Sequence, residues 1–309
     1  MHLSLLTRPQ GANRALIEGG AAASGLRFDV VEEPVLVKGF RRMVRDLEFD
    51  VAEMALTTYL TAKEHGVAFT ALPIFLVRDF HHGAAQVLRK NSSRPVADLA
   101  GRRIGVNRGY TVTTGVWGRA ALAEAGLDLD SVTWVCSGDE HVPAYVPPKN
   151  VLRAPHGATL QEMLLAGEID AVVGAGITHP EVVSQIANPD EAATDVLRQR
   201  GVFPINHLVV VRDELLAQHP ELASTLFADF AEAKRRYVER LRSGPGDSRQ
   251  DQILARVMKI TGSDPLPYGV EKNRGTLEEL IDNAMSQHIV RTRPAIEDLF
   301  ADGTLELQG

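Results

Sequence analysis

The sequence predicts an α/β protein of two lobes, each a mostly parallel sheet covered by helices. Three observations carry that expectation. Short apolar, β-branched segments alternate with helical stretches along most of the chain. Two interruptions read as crossings between lobes. The length of 309 residues exceeds the roughly 100–200 residues of one ordinary domain.

The expected strands are, in order, "LSLLT" (3–7), "LRFDVVEE" (26–33), "FDVAEMA" (49–55), "ALPIFLV" (71–77), "RRIGVN" (102–107), "VTWVCS" (132–137), "IDAVVGA" (169–175) and "HLVVVR" (207–212). A helix should follow the fifth strand through Val116, Leu122 and Ala125 to a stop at Gly126, with Thr113 or Thr114 as its N-cap. Two late helices are the clearest. Leu226, Phe227, Phe230, Tyr237, Val238 and Leu241 share one face, and so do Leu277, Leu280, Ile281, Ala284 and Met285. Thr276 and Glu279 have the spacing of a capping box. Residues 242–251 read as a loop. "EFDVAEMALT" from Glu48 and "EIDAVVGAGI" from Glu168 resemble each other, as equivalent strands of two similar lobes would.

Asn91, Ser92, Ser93 and Pro95 mark the outward crossing, and "FPINHLVVVR" marks the return. Lobe one is then 1–87 plus 208–309, lobe two is 88–207, and the ligand cleft is expected between them.

Hydrophobic residues make up 44% and charged residues 24%, with a net charge of −7. That balance argues against nucleic acid or an anionic membrane as the main partner. No apolar run reaches the ~18 residues of a membrane span, and the N-terminus lacks the pattern of a secretory signal. A cytoplasmic location is the expectation, with the oligomeric state left open. The single cysteine, Cys136, excludes an internal disulfide and reads as a buried thiol.

Ligands of open α/β sheets sit at the carboxyl ends of strands, and the residues there are unusually polar. Glu53 interrupts an apolar strand, where a carboxylate must be paired or must titrate abnormally. Thr57 and Thr58 follow it. Arg78 ends another strand in "RDFHHG", placed either for a salt bridge with Asp79 or to fork onto a carboxylate. Of His81 and His82, only one should face a ligand, and His82 is favoured. Loop "NRGYTVTTG" places Arg108, Tyr110, Thr111, Thr113 and Thr114 before a helix, where free N–H groups suit an anion. His141 lies in "GDEHVPAY", and His207 opens the return strand. There is no metal-ligand spacing, Walker loop or dinucleotide fingerprint, so no metal or cofactor is expected.

The segments "FDVAEMALTTYL", "ALPIFLVRDFHH", "DLAGRRIGVNRGYTVTTGVWGRAAL", "GEIDAVVGA" and "FPINHLVVVRDELLAQHPELA", with "TGSDPLPYGVEKNR" near the end, resemble the 4,5-dihydroxyphthalate decarboxylase family. The resemblance runs over most of the chain and implies a fold similar to type 2 periplasmic binding proteins. Arg78, Phe80, His82, Tyr110, Thr113 and Trp117 stand at matching positions. Where the family has Ser-Arg-x-Phe-Arg-His, this chain has Val77 to His82, so His81 replaces an arginine. Where the family has Pro-Glu-Tyr-x-x-Thr-Ala, this chain reads Asn107-Arg108-Gly109-Tyr110, so the acidic residue is absent.

The resemblance implies cofactor-free loss of CO₂ from a dihydroxylated aromatic dicarboxylate in aromatic catabolism. Arg78, Thr113 and Thr114 would clamp carboxylates. His82 or His141 would supply a proton, and Glu53 or His207 would engage a phenolic oxygen. Two alternatives stand beside it: a non-catalytic binding protein for a small anion, as in ABC transport, and another enzyme on the same scaffold, such as those of the futalosine route.

Overall fold

The computed structural model describes residues 1–18, 24–244, 246 and 248–309. Pro245 and Asp247, within the loop expected over 242–251, lie outside the described residues.

Among the described residues the strands are β1 (His2–Leu6), β2 (Arg27–Val30), β3 (Val51–Ala55), β4 (Phe69–Arg78), β5 (Ala85–Leu88), β6 (Arg103–Val106), β7 (Thr133–Cys136), β8 (Val151–Arg153), β9 (Ala171–Val173), β10 (Val182–Ser184) and β11 (Ile205–Arg212). The helices are α1 (Arg14–Glu18), α2 (Leu36–Asp46), α3 (Leu56–Glu64), α4 (Thr113–Glu124), α5 (Leu160–Ala166), α6 (Pro189–Arg200), α7 (Asp213–Gln218), α8 (Leu222–Ser243), α9 (Arg249–Thr261) and α10 (Arg274–Ser286). All eight expected strands form. β5, β8 and β10 are additional, and each has only three or four residues, too few to show a period.

The chain divides into two compact units. Unit 1 comprises Met1–Asp79, Ile205–Glu278 and Pro294–Gly309; unit 2 comprises Phe80–Pro204 and Glu279–Arg293. The sequence expectation had the whole C-terminal third in lobe one. Residues 279–293 instead group with unit 2, where Gln287 bonds Arg119 and Glu279 lies 3.5 Å from Arg200.

Unit 1 holds a five-stranded sheet of order β2-β1-β3-β11-β4. Unit 2 holds a six-stranded sheet of order β10-β5-β9-β6-β7-β8. In each sheet one strand, β11 or β5, runs against all the others. With β2 set on β7 the two orders superpose, and β8 is an extra edge strand of unit 2. β3 and β9 then hold the same place, β3 between β1 and the reversed β11, β9 between β6 and the reversed β5. This is the equivalence that the echo between Glu48 and Glu168 anticipates.

The cores follow from the apolar pattern. On α8, Leu226, Phe227, Phe230, Tyr237, Val238 and Leu241 are all buried, each large apolar side chain contributing about 2 kcal/mol. In unit 2, Leu160, Met163 and Leu164 of α5 pack with Val135, Val172 and Ile169. α5 carries the capping box, Thr159 with Glu162. The box expected at Thr276 and Glu279 does not form at the helix start, because α10 begins at Arg274 and Thr276 lies inside its first turn. Among the described residues, no helix is long and apolar enough to cross a membrane.

Candidate functional site

Each sheet has one place where neighbouring parallel strands send their connections in opposite directions. In unit 1 it lies between β1, which leads to β2, and β3, which leads towards β4. In unit 2 it lies between β6, which leads to β7, and β9, which leads towards β10. Such switch points leave an opening at the strand ends, where α/β proteins bind ligands.

In unit 1, register does the positioning. Leu6 pairs with Ala52, so Thr7, one residue on, meets Glu53. Val209 pairs with Glu53 across the antiparallel β11, and His207 is two residues away on the same face. Glu53 is fully buried. Its Oε2 accepts from Thr7 Oγ1 at 2.7 Å and Gln10 Nε2 at 2.9 Å, and its Oε1 lies 2.6 Å from His207 Nδ1. Burial alone would push this carboxyl up. The bond and charge of His207, the Thr7 hydroxyl and the charge of Arg8 outweigh it and hold the pKa below the ordinary value.

An ionised Glu53 can only accept, so His207 Nδ1 carries a proton towards it, and Nε2 is the nitrogen that can exchange one. Phe40 stands edge-on to the imidazole at 5.2 Å. The His207 side chain keeps 15% exposure while Glu53 has none. This is a histidine oriented by a sealed carboxylate. Thr7 and Gln10 were not among the sequence candidates. Only the parallel pairing of β1 with β3 brings them to Glu53.

The other unit 1 candidates are placed differently. Thr57 and Thr58 form the first turn of α3 and are fully buried. Arg78 is 2% exposed. Its Nη2 donates to Asn273 Oδ1 and to the Pro267 carbonyl, and its guanidinium lies 5.6 Å from the Phe75 ring. Burial, only partly opposed by the charge of Asp264, pushes its pKa down to about 10. Asp79 accepts from Arg249 at 2.6 Å. The guanidinium thus ties β4 to the segment before α10 instead of standing open at a strand end.

In unit 2 the expected cap is absent. Val112 is the N-cap of α4 and makes no side-chain cap bond, so Thr113 and Thr114 are the first two helical residues. Thr113 is buried. The loop before them already holds a carboxylate. Glu140 accepts from the Tyr110 and Thr111 N–H groups and from Thr111 Oγ1 at 2.6 Å. Gly109 permits this approach, because a Cβ there would lie 2.7 Å from Glu140 Oε2. Part of the expected anion cradle is therefore taken by an internal anion. Arg108 is exposed with φ of +69°, its N–H on Ser137 Oγ at 2.8 Å.

Tyr110 is buried against Arg119, whose guanidinium carbon lies 3.9 Å from the ring centroid. His141 is 1% exposed. His82 starts a short 3-10 turn, and its Nδ1 is buried without a hydrogen-bond partner among the described residues. Burial lowers its pKa, with Glu124 raising it and Arg200 lowering it further. His82, Trp117, Glu124 and Arg200 line a cavity of about 20 Å³, room for one water. Burial pushes the Cys136 thiol up to about 12, so it is no nucleophile.

Arg119 and Glu140 escaped sequence reading. The signal for Arg119 is that α4 is apolar on nearly every side, so an arginine within it is buried. Glu140 carried no signal distinguishing it from other loop carboxylates. Among the described residues no group of three or more His, Cys, Asp or Glu side chains could hold a metal ion.

No family model matches the chain. It is 32% identical over 204 residues to a 4,5-dihydroxyphthalate decarboxylase of Pseudomonas putida, covering 60% of this chain and 77% of that protein. The chain belongs to the 4,5-dihydroxyphthalate decarboxylase family. A second member, from Comamonas testosteroni, is 29% identical over a 330-residue alignment that covers 99% of this chain and 98% of the relative. Among solved structures, the alkanesulfonate-binding protein SsuA from Xanthomonas axonopodis pv. citri, bound to MOPS, matches with a TM-score of 0.54 at 14% identity over 97% of each chain. The desulfurization enzyme DSZB matches at 0.51 and 16% identity, over 98% of this chain and 97% of its own. Identity this low shows the fold alone, which is periplasmic-binding-protein-like, as the family resemblance implies.

Proposed function

We propose that this member of the decarboxylase family removes CO₂ from a dihydroxylated aromatic dicarboxylate, 4,5-dihydroxyphthalate or a close analogue, in the breakdown of aromatic acids. The observation that carries the reading is the Glu53–His207 pair at the unit 1 switch point, in a chain matched to a named decarboxylase over 99% of its length.

The chemistry needs a group that takes a phenolic proton and returns it. His207 Nε2 suits this task, with Glu53 fixing the tautomer and stabilising the imidazolium as it forms. Loss of the phenolic proton pushes electron density onto the ring carbon para to that oxygen. An acid protonates this carbon. The bond to the carboxylate then breaks, its electrons return to the ring, and CO₂ leaves. The phenolate recovers its proton from His207. One proton is consumed overall, on the ring carbon.

For the acid, His82 and His141 are the candidates. The first turn of α4, with Thr113 and Thr114, is the candidate for holding a carboxylate. Arg78, buried with its Nη2 on Asn273 and Pro267, is given no step in this scheme. No metal or organic cofactor enters any step.

The test is CO₂ release from 4,5-dihydroxyphthalate by protein treated with chelator. Turnover that survives the chelator is expected. A thermal shift without CO₂ overturns the enzymatic reading, and turnover lost with the metal overturns its cofactor-free form.

A further inference from the structure

α4 has no side-chain cap, yet the loop before it is tightly held. Arg119, four residues beyond Gly115, reaches back along its own helix to that loop. The side chain is fully buried. Its Nη2 donates to the Tyr110 carbonyl at 2.8 Å, its Nε donates to Gln287 Oε1 at 2.7 Å, and its plane lies on the Tyr110 ring. Gln287 Nε2 in turn donates to the Val116 carbonyl in the first part of α4. Nη1 has no partner among the described residues and lies 3.2 Å from where a Cβ on Gly115 would be. Glu140 takes the N–H groups of Tyr110 and Thr111.

The peptide groups around Tyr110 are therefore gripped at both ends of their dipoles, with a cation on the C=O of Tyr110 and a carboxylate on its N–H. Both are charge-assisted bonds, about twice as strong as neutral ones. A buried cation without a contacting carboxylate is costly. Retaining one here, with its fork spent on a single carbonyl and a glutamine, marks the segment as one whose position matters. A glycine on each side makes room, Gly109 for the carboxylate and Gly115 for the guanidinium.

We infer that Arg119 and Glu140 are positioning residues that clasp Tyr110 and so fix the start of α4, presenting its first turn, with the half-buried Thr114, to the substrate carboxylate. The clasp replaces a side-chain cap and leaves the helix start pre-organised, lowering the ordering cost of binding. This inference rests on the decarboxylase reading.

Glu140→Gln keeps shape but weakens the acceptor, and Arg119→Lys keeps charge but loses the fork and the stacking. KM and kcat for 4,5-dihydroxyphthalate would be measured on the full chain, with calorimetric Kd and hydrogen exchange of residues 107–114. Both variants should raise KM and Kd roughly tenfold with kcat within about twofold, and the Tyr110 and Thr111 amides should lose protection in Glu140→Gln. Folded variants with unchanged Kd and unchanged exchange overturn the clasp. So does an equal loss in kcat and kcat/KM, or a loss of thermal stability without any change in Kd. The two ideas fail separately. Wild-type protein that binds the dicarboxylate without releasing CO₂ defeats the decarboxylase reading, and the Kd and exchange comparison still judges the clasp.

Discussion

The strand ends beside the two switch points share a topology but hold their carboxylates differently. In unit 1 a carboxylate rises from the middle of a strand, is sealed from solvent and is joined to a histidine that keeps a little exposure. In unit 2 a carboxylate arrives from a neighbouring loop and is held by backbone N–H groups, with a buried arginine gripping the same residue from its carbonyl side. The first arrangement suits proton transfer, because a histidine oriented by a fixed anion can cycle between two protonation states. The second suits holding, because its charges are spent on keeping backbone in place. One fold repeat thus supports two chemical tasks, and the difference lies in whether the carboxylate faces a titratable ring or a set of amides.

The comparison predicts a split in kinetics. His207→Ala should lower kcat by about 10²–10⁴-fold, the usual contribution of a positioned acid–base group, with KM little changed. The Arg119 and Glu140 variants of unit 2 should act mainly on KM. A His207→Ala enzyme with wild-type kcat, measured by CO₂ release, removes the distinction.

A smaller effect comes from Gly109→Ala. The new Cβ would meet Glu140 Oε2 at 2.7 Å, so the carboxylate must leave its amides. A loss of about 2 kcal/mol in denaturant unfolding is expected.

The pH dependence tests unit 1. The folded pKa of Glu53 is lowered, so its contribution is fully present above the ordinary carboxylate value of 4.5. It is lost as pH falls from there through the folded value. Wild type should lose stability in acid more steeply than Glu53→Gln in unfolding curves between pH 6 and pH 3 (roughly the range that brackets carboxylate titration), and equal slopes would show that Glu53 is not held ionised.

Thr7→Val removes one of the bonds to Glu53 and should cost about 1 kcal/mol. The smallest effect is expected at Cys136, whose raised pKa and burial should leave it unreacted with a thiol reagent at about pH 8 until the protein unfolds.

Much of this was legible beforehand in particular residues. Glu53 stood out because a charge within "VAEMA" has no place in a buried strand unless it is paired. His207 stood out because it opens the return strand. The pairing of the two was not legible, since it depends on β11 lying antiparallel beside β3. Arg78 stood out at a strand end, but two of its partners, Pro267 and Asn273, are 189 and 195 residues away. The acidic residue that the family pattern expects in the 107–113 loop is missing from the sequence, yet a carboxylate reaches that loop from Glu140. Local spacing could not show this, because the two loops meet only when β6 and β7 pair.

The sequence by itself determined the alternation of strands and helices, the two-part organisation, the family and the set of polar residues near the strand ends. These follow from local periodicity and from residue types that are costly to bury unpaired. Tertiary structure decided which of those residues act on one another. Sheet order and register join residues far apart in sequence, and whether a buried charge becomes an acid–base group or a structural tie depends on the partner that register supplies.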